Sequence, residues 1–237
     1  MTRTTNARIA GFTFLFYIAV GITSLVLLGR ATGGKGIAAK LASIAQHATE
    51  VRVVVVLTLL TSFSALVLGV TLYAITREQD PDLAMLVLIC RVIEGLNNVG
   101  GISTMLGLVW LATTTGADAP DIAATHALGA FLQRAGGGVG AFFSAVGSTL
   151  FSYLLLRGRM IPIPLAWLGV LASVLLVVIL PLQLAGFFGG SVNWFSWVTW
   201  LMWFPMFVFE VALALWLIIK GVAMPPNRQS PLKEAVS

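Results

Sequence analysis

An all-α integral membrane bundle of six transmembrane helices, both termini cytoplasmic, is the fold this sequence predicts, and three observations carry it. Hydrophobic residues make up 58% of the 237 residues and charged residues only 10%, whereas charged residues are about a quarter of a soluble globular protein. The mean hydropathy is +0.97. The apolar residues gather into six runs, each long enough as a helix to cross a hydrocarbon core of about 30 Å, which takes roughly 20 residues. Such runs exceed the roughly ten-residue alternating strands of a membrane β-barrel.

The first run, Ile9 to Leu28, follows Arg3 and Arg8. It is longer than the apolar core of a cleavable signal, about 7–15 residues, and reads as an uncleaved helix. The second run is Val53 to Ile75. The connection before it sets Ile37, Leu41, Ile44 and Ala48 on one helical face, with Lys40, Ser43, Gln46 and His47 elsewhere. That pattern predicts a short helix near 37–50 lying at the outer interface. The third run is Leu83 to Leu111.

Asp118-Ala119-Pro120-Asp121 reads as a helix start with an early proline, so the fourth helix, with its apolar run from Ala127 to Leu156, is expected to begin outside the bilayer. It passes through Gly136, Gly137, Gly138 and Gly140, then Ala141, Ser144 and Gly147. Small residues let another backbone approach closely, so a packing seam is favoured over a break lining a cavity, and a homodimer through this seam is a further expectation. The fifth and sixth runs are Ile163 to Phe188 and Trp194 to Ile219. Residues 1–223 thus form one membrane domain, and 224–237, with Pro225, Pro226 and Pro231, a mobile cytoplasmic tail. No connection is long enough for a soluble domain.

Orientation follows from lysine and arginine, which are retained in cytoplasmic loops. With both ends inside, the inner segments hold Arg3, Arg8, Arg77, Arg157, Arg159, Lys220, Arg228 and Lys233. The outer side holds Arg30, Lys35, Lys40 and Arg52, all in the first connection. The net charge of +5 therefore reads as topology and contact with anionic lipid, and gives no reason to expect nucleic acid as a partner.

Within the apolar runs a few charges stand out. At 3.6 residues per turn Val87, Arg91, Glu94, Asn98, Gly101 and Met105 share one stripe of the third helix, with Asn97 beside it. An ionised side chain at mid-bilayer depth costs about 2.5–3.5 kcal/mol on insertion scales, so the stripe must face protein or water held by protein. Arg91 lies about nine residues from Asp82, roughly 14 Å, and Glu210 about ten from Lys220, roughly 15 Å. The matching depths predict that Arg91 and Glu210 interact, with Glu94 sharing the guanidinium. Arg134, beside Gln133, sits nearer the outer side, where snorkelling to the interface ranks above pairing with Glu94. Arg91, Glu94, Asn97, Asn98, Glu210 and Arg134 are the candidate binding residues.

Pro205, five residues before Glu210, removes one helical hydrogen bond and predicts a kink. Trp194, Trp197, Trp200 and Trp203 recur every three residues at the outer end of the sixth helix, as in an interfacial belt, and the two deeper indoles favour lipid or helix packing over a pocket wall. His47 and His126 read as solvated interfacial residues rather than metal ligands. The single cysteine, Cys90, precludes an intramolecular disulfide and reads as a packing residue. Neither a phosphate loop nor a nucleophile elbow is present. No metal and no cofactor is expected.

The stretch Arg77 to Glu94, ending in Arg-x-x-Glu, resembles a bacterial multi-pass family known only as domain of unknown function 4386. So do Ala7 to Gly21, Tyr153 to Pro162 with the Leu168-Gly-Val that follows, and Phe209 to Gly221, so the likeness reaches to about Gly221. It is richer in glycine around Gly136 than the family pattern. The resemblance implies six helices and a bacterial membrane, and no known activity; the expected location is the bacterial inner membrane.

Three functions compete. The leading one is a buried polar site that binds or passes a small solute or proton. The second is a structural or accessory protein whose charges only clasp the third helix to the sixth. The third, an intramembrane enzyme with Glu94 or Glu210 as base and His126 or His47 as acid, is weakest, because no nucleophile and base sit at recognisable spacing.

Overall fold

The computed structural model describes residues 2–135, 138–187 and 197–223, and all their side chains but those of Asp118, Arg134, Ala135 and Val198. Among the described residues there are helices and turns and no strand. Thr2 Oγ1 accepts from the Thr5 N–H at 3.1 Å and opens α1 (Arg3–Ala31). The short α2 (Ile37–Gln46) leads through His47 into α3 (Ala48–Thr76). Asp80 accepts from the Leu83 N–H at 3.1 Å, with Pro81 in the first turn, and opens α4 (Pro81–Thr113). Asp121 does the same for Ala124 at the head of α5 (Ile122–Ala135). Each such cap satisfies a backbone donor that the first turn leaves without a helical partner. The chain continues as α6 (Val139–Arg157), α7 (Ile163–Leu184) and α8 (Trp197–Ile219).

Six of these helices, α1, α3, α4, α6, α7 and α8, are long and apolar enough to cross a membrane. Their outward faces expose Phe12, Phe63, Leu96, Leu171 and Leu201. Exposed apolar surface of this extent needs a lipid solvent, and the protein is a multi-pass membrane protein.

The six spans close into a ring. α1 packs on α3, α3 on α4, α4 on α6, α6 on α7, α7 on α8, and α8 back on α1, which sets α4 opposite α8. Glycines bring the backbones together. A Cβ on Gly11 of α1 would lie 2.6 Å from the Ala214 carbonyl oxygen of α8, and one on Gly147 of α6 would lie 3.0 Å from Cys90 Cβ of α4. Close approach of this kind is how helices gain dispersion contacts where lipid removes the hydrophobic drive to associate.

Both described ends of the chain lie at one end of the ring, here the near end. Arg3 pairs with Glu78 at 3.5 Å, Arg157 with Asp80 at 3.2 Å, and the Ala223 N–H donates to the Met160 carbonyl at 3.0 Å. At the far end α2 and α5 pack on each other and on α4. Leu41 and Ile44 of α2 are buried, as the sequence pattern predicts. The main apolar core runs from Ala7, Phe14 and Leu72 through Phe151 and Phe209 to Leu176 and Leu180 in the far half of α7, and a small second core of Ala31, Ile44, Val51 and Val109 lies under α2.

The expected single helix through Ala127 to Leu156 is instead two helices, α5 and α6. Gly138 stands before α6 at φ 116°, a conformation that costs an L-residue about 1–2 kcal/mol and cannot continue an α-helix. Successive glycines each cost about 1 kcal/mol relative to alanine inside a helix, so the break falls where helical propensity is weakest. The packing seam exists as well, at Gly140 against Asn97 and Gly147 against Cys90, within the chain. The fifth span stops at Leu184 rather than Phe188, followed by Gly186 at φ 95°. Gly136, Gly137, Trp194 and the tail 224–237 lie outside the described residues.

Candidate functional site

The stripe predicted on the third span does turn inward on α4. Val87, Arg91 and Glu94 are all buried, Arg91 to 1% exposure and Glu94 to 2%. Arg91 is ten residues into α4, about 15 Å from the near end. A charge at that depth requires partners, and it has several. One guanidinium nitrogen donates to Glu94 Oε2 at 2.8 Å and to Ser144 Oγ at 3.4 Å, and the other to Ser148 Oγ at 3.0 Å. The guanidinium carbon stands 5.7 Å from the centre of the Phe14 ring, within cation–π range. The hydroxyl of Tyr17 donates to the second glutamate oxygen, Oε1, at 2.7 Å.

The result is a chain of charge-assisted bonds, Tyr17 to Glu94 to Arg91 to Ser148, that joins α1, α4 and α6 through the ring's interior. The Arg–Glu half was legible from the i,i+3 spacing. Tyr17, Ser144 and Ser148 are partners that sequence reasoning did not name. A signal existed in Ser144, Ser148 and Ser152, which recur every four residues and so share one face of α6. Arg91 Nε and Ser152 Oγ are buried and have no hydrogen-bond partner among the described residues.

Glu210 approaches this centre from α8. It lies on the inner stripe of α8, between buried Met206 and Leu213, nine residues from Ile219 and about 14 Å from the near end. It is close enough to Arg91, Glu94 and Tyr17 to act on them electrostatically. Yet among the described residues it makes no hydrogen bond and no ion pair, and it keeps accessible surface. Arg91 and Glu210 thus interact through space, with no hydrogen bond or ion pair between them among the described residues. α4 and α8 stand on opposite sides of the ring, and Glu94 together with the α6 serines already occupies the guanidinium.

The remaining candidates are dispersed. Asn98 follows Glu94 by one turn on the inner face and is partly exposed. Asn97 is exposed and its amide donates to the Ile93 carbonyl of its own helix at 3.1 Å. Arg134 belongs to α5, and its side chain lies outside the described residues. Trp203 packs against the main core, while Trp197 and Trp200 are exposed. α8 runs on as an α-helix through Pro205. His47 Nδ1 contacts its own helix at the Ser43 carbonyl, 2.9 Å, and neither histidine bonds to the Arg91–Glu94 chain. Among the described residues no cluster of histidine, cysteine and carboxylate could hold a metal. A groove of about 250 Å³ between α1 and α3, lined by Phe12, Thr13, Phe16, Phe63, Ser64 and Val67, opens on the lipid-facing surface away from the charges.

A family model described as a domain of unknown function, DUF4386, matches residues 9–221. No curated protein and no solved structure matches the chain.

Proposed function

The chain belongs to the DUF4386 family, and from the chemistry at its centre we propose that it binds or passes a small solute or proton at Glu94, Glu210 and Arg91. One observation carries the reading. Arg91 is already held by Glu94 and Ser148, so Glu210 is a second inward carboxyl with neither hydrogen bond nor ion pair among the described residues. A carboxyl at mid-membrane depth with no such partner among the described residues suits a partner from outside, a proton or a charged solute. The distribution of lysine and arginine supports both termini lying in the cytoplasm, and the bacterial inner membrane is proposed from the family resemblance alone.

A structural reading has its own support. The bonds from Tyr17 through Glu94 and Arg91 to Ser148 would hold α1, α4 and α6 in register whether or not anything passes. The two readings separate in proteoliposomes. Purified protein is reconstituted with a trapped pH dye, and proton flux is driven by a potassium diffusion potential; uptake of a panel of small solutes is measured in parallel. Glu210→Gln keeps the side-chain volume and leaves the Arg91–Glu94 bond in place. It is expected to abolish flux or uptake while changing stability by no more than about 0.5 kcal/mol. Wild-type vesicles no leakier than empty ones to protons and every solute would leave only the structural reading.

A further inference from the structure

We infer that the turn between α6 and α7 binds the headgroup of one anionic phospholipid, with Arg159 on the phosphate and Tyr153 and Trp167 at the glycerol level beneath it. The inference does not depend on what the Arg91–Glu94 centre does.

The backbone of the turn is unusual. Six of the described residues with a left-handed φ are glycines, and the one other is Arg159, at φ 47°. Its N–H donates to the Leu156 carbonyl at 3.1 Å, and the Met160 N–H donates to the Leu155 carbonyl at 3.0 Å. These bonds close the C-terminus of α6 and leave Arg159 at the position that ordinarily takes glycine. An L side chain there is strained, while the glycine beside it, Gly158, stands at an ordinary helical φ of −79°. Strain of this kind is kept where a side chain has work to do. Inside the protein Arg159 has none, for it is exposed and makes neither hydrogen bond nor ion pair among the described residues. Its neighbour Arg157 is engaged with Asp80 at 3.2 Å. Holding positive charge on one side of the membrane needs no particular backbone conformation, and Arg157 already supplies that charge.

The turn lies at the level of the lipid headgroups. Tyr73, Tyr153, Trp167 and Trp216 each stand three or four residues from the near end of their helices, about 5–6 Å. Such amphipathic rings gather at the headgroup level, so this belt marks the near interface of the bilayer. Tyr153 and Trp167 are its members on α6 and α7. Both are exposed, and neither the Tyr153 hydroxyl nor the Trp167 indole N–H has a hydrogen-bond partner among the described residues. A Cβ on Gly169 would lie 2.5 Å from Ser152 Oγ, which sets residue 152 opposite 169 and brings Tyr153 level with Trp167 and Leu168. Two neutral donors at one depth, with an unpaired guanidinium in the turn beyond them, match the ester oxygens and the phosphate of a phospholipid in order of depth. Charge favours an anionic headgroup. On the near rim Glu78 and Asp80 are paired with Arg3 and Arg157, and Asp82 lies in the first turn of α4, the helix end that favours a carboxylate. The other cations without an ion pair among the described residues are Arg8, Arg77 and Lys220, and Arg8 and Arg77 belong to α1 and the end of α3, neither of which packs on α7.

Native mass spectrometry of the full chain in detergent tests the site, with phosphatidylglycerol and phosphatidylcholine of identical acyl chains as the probes. The wild type is expected to bind phosphatidylglycerol about fivefold more tightly, the factor that one arginine contributes at an anionic surface. Arg159→Gly should bring the two affinities together and, by relieving the strained φ, raise the unfolding temperature in lipid-free detergent. Arg159→Lys keeps the charge and should keep the preference, whereas Tyr153→Phe and Trp167→Phe should weaken both lipids alike. No preference in the wild type, or one that survives Arg159→Gly, would overturn the site. An equal loss of preference in Arg8→Gln, Arg77→Gln and Lys220→Gln would overturn it as well, since the rim would then act as a diffuse field. Displacement of phosphatidylglycerol by millimolar inorganic phosphate would assign the arginine to a soluble anion and overturn the lipid assignment.

Discussion

At the scale of single residues the protein turns on how Arg91 is held. A guanidinium buried to 1% is accommodated by Glu94, Ser144 and Ser148 as acceptors and by the face of the Phe14 ring. Arg91→Ala leaves Glu94 as a buried carboxylate with Tyr17 alone, and is expected to cost about 3–5 kcal/mol of stability in detergent. A double-mutant cycle should show a larger coupling for Arg91 with Glu94 than for Arg91 with Glu210, since only the first pair is in contact. The reverse order would mean that the two carboxylates exchange places on the guanidinium. Tyr17→Phe deprives Glu94 Oε1 of its donor at 2.7 Å, and a loss of about 1–3 kcal/mol on thermal unfolding is the expected result. Half of this centre could be read beforehand. Arg-x-x-Glu is a contact within one helix and is set by helical pitch, whereas the tyrosine and the serines arrive from other helices, and no spacing along the chain announces which will meet.

Elements obey their local chemistry until packing overrules it. Hydropathy alone joins α5 to α6 because glycine is scored as neutral, although the backbone at Gly138 has left the helical region entirely. The same residue type has opposite worth elsewhere. Gly11→Ala puts a methyl group into the Ala214 carbonyl of the adjoining helix and should lower stability by about 1–3 kcal/mol. Gly101→Ala meets nothing and gains helical propensity, so an increase of up to about 1 kcal/mol is expected from the same unfolding assay. Equal losses at both positions would show that Gly101 is in contact with a neighbouring helix. The start of α4 offers a third comparison. Asp80 both caps the helix and pairs with Arg157, so Asp80→Ala should cost more than Arg157→Ala, whose half-exposed ion pair contributes at most about 1 kcal/mol.

For the whole molecule, the number of spans, their approximate limits, the short amphipathic α2 and the pairing of Arg91 with Glu94 were determined by the sequence by itself. Each depends on quantities that are local in the chain: apolar length against bilayer thickness, the period of one helix, and a cap a few residues away. Tertiary structure alone decided that α4 and α8 stand across the ring from each other and that Glu210 is close to Arg91 without contacting it. Those outcomes depend on which small residues bring which backbones together, as Gly11 does with Ala214 and Gly147 with Cys90. In lipid that choice is made by shape and dispersion between helices, and a hydropathy pattern carries no record of it.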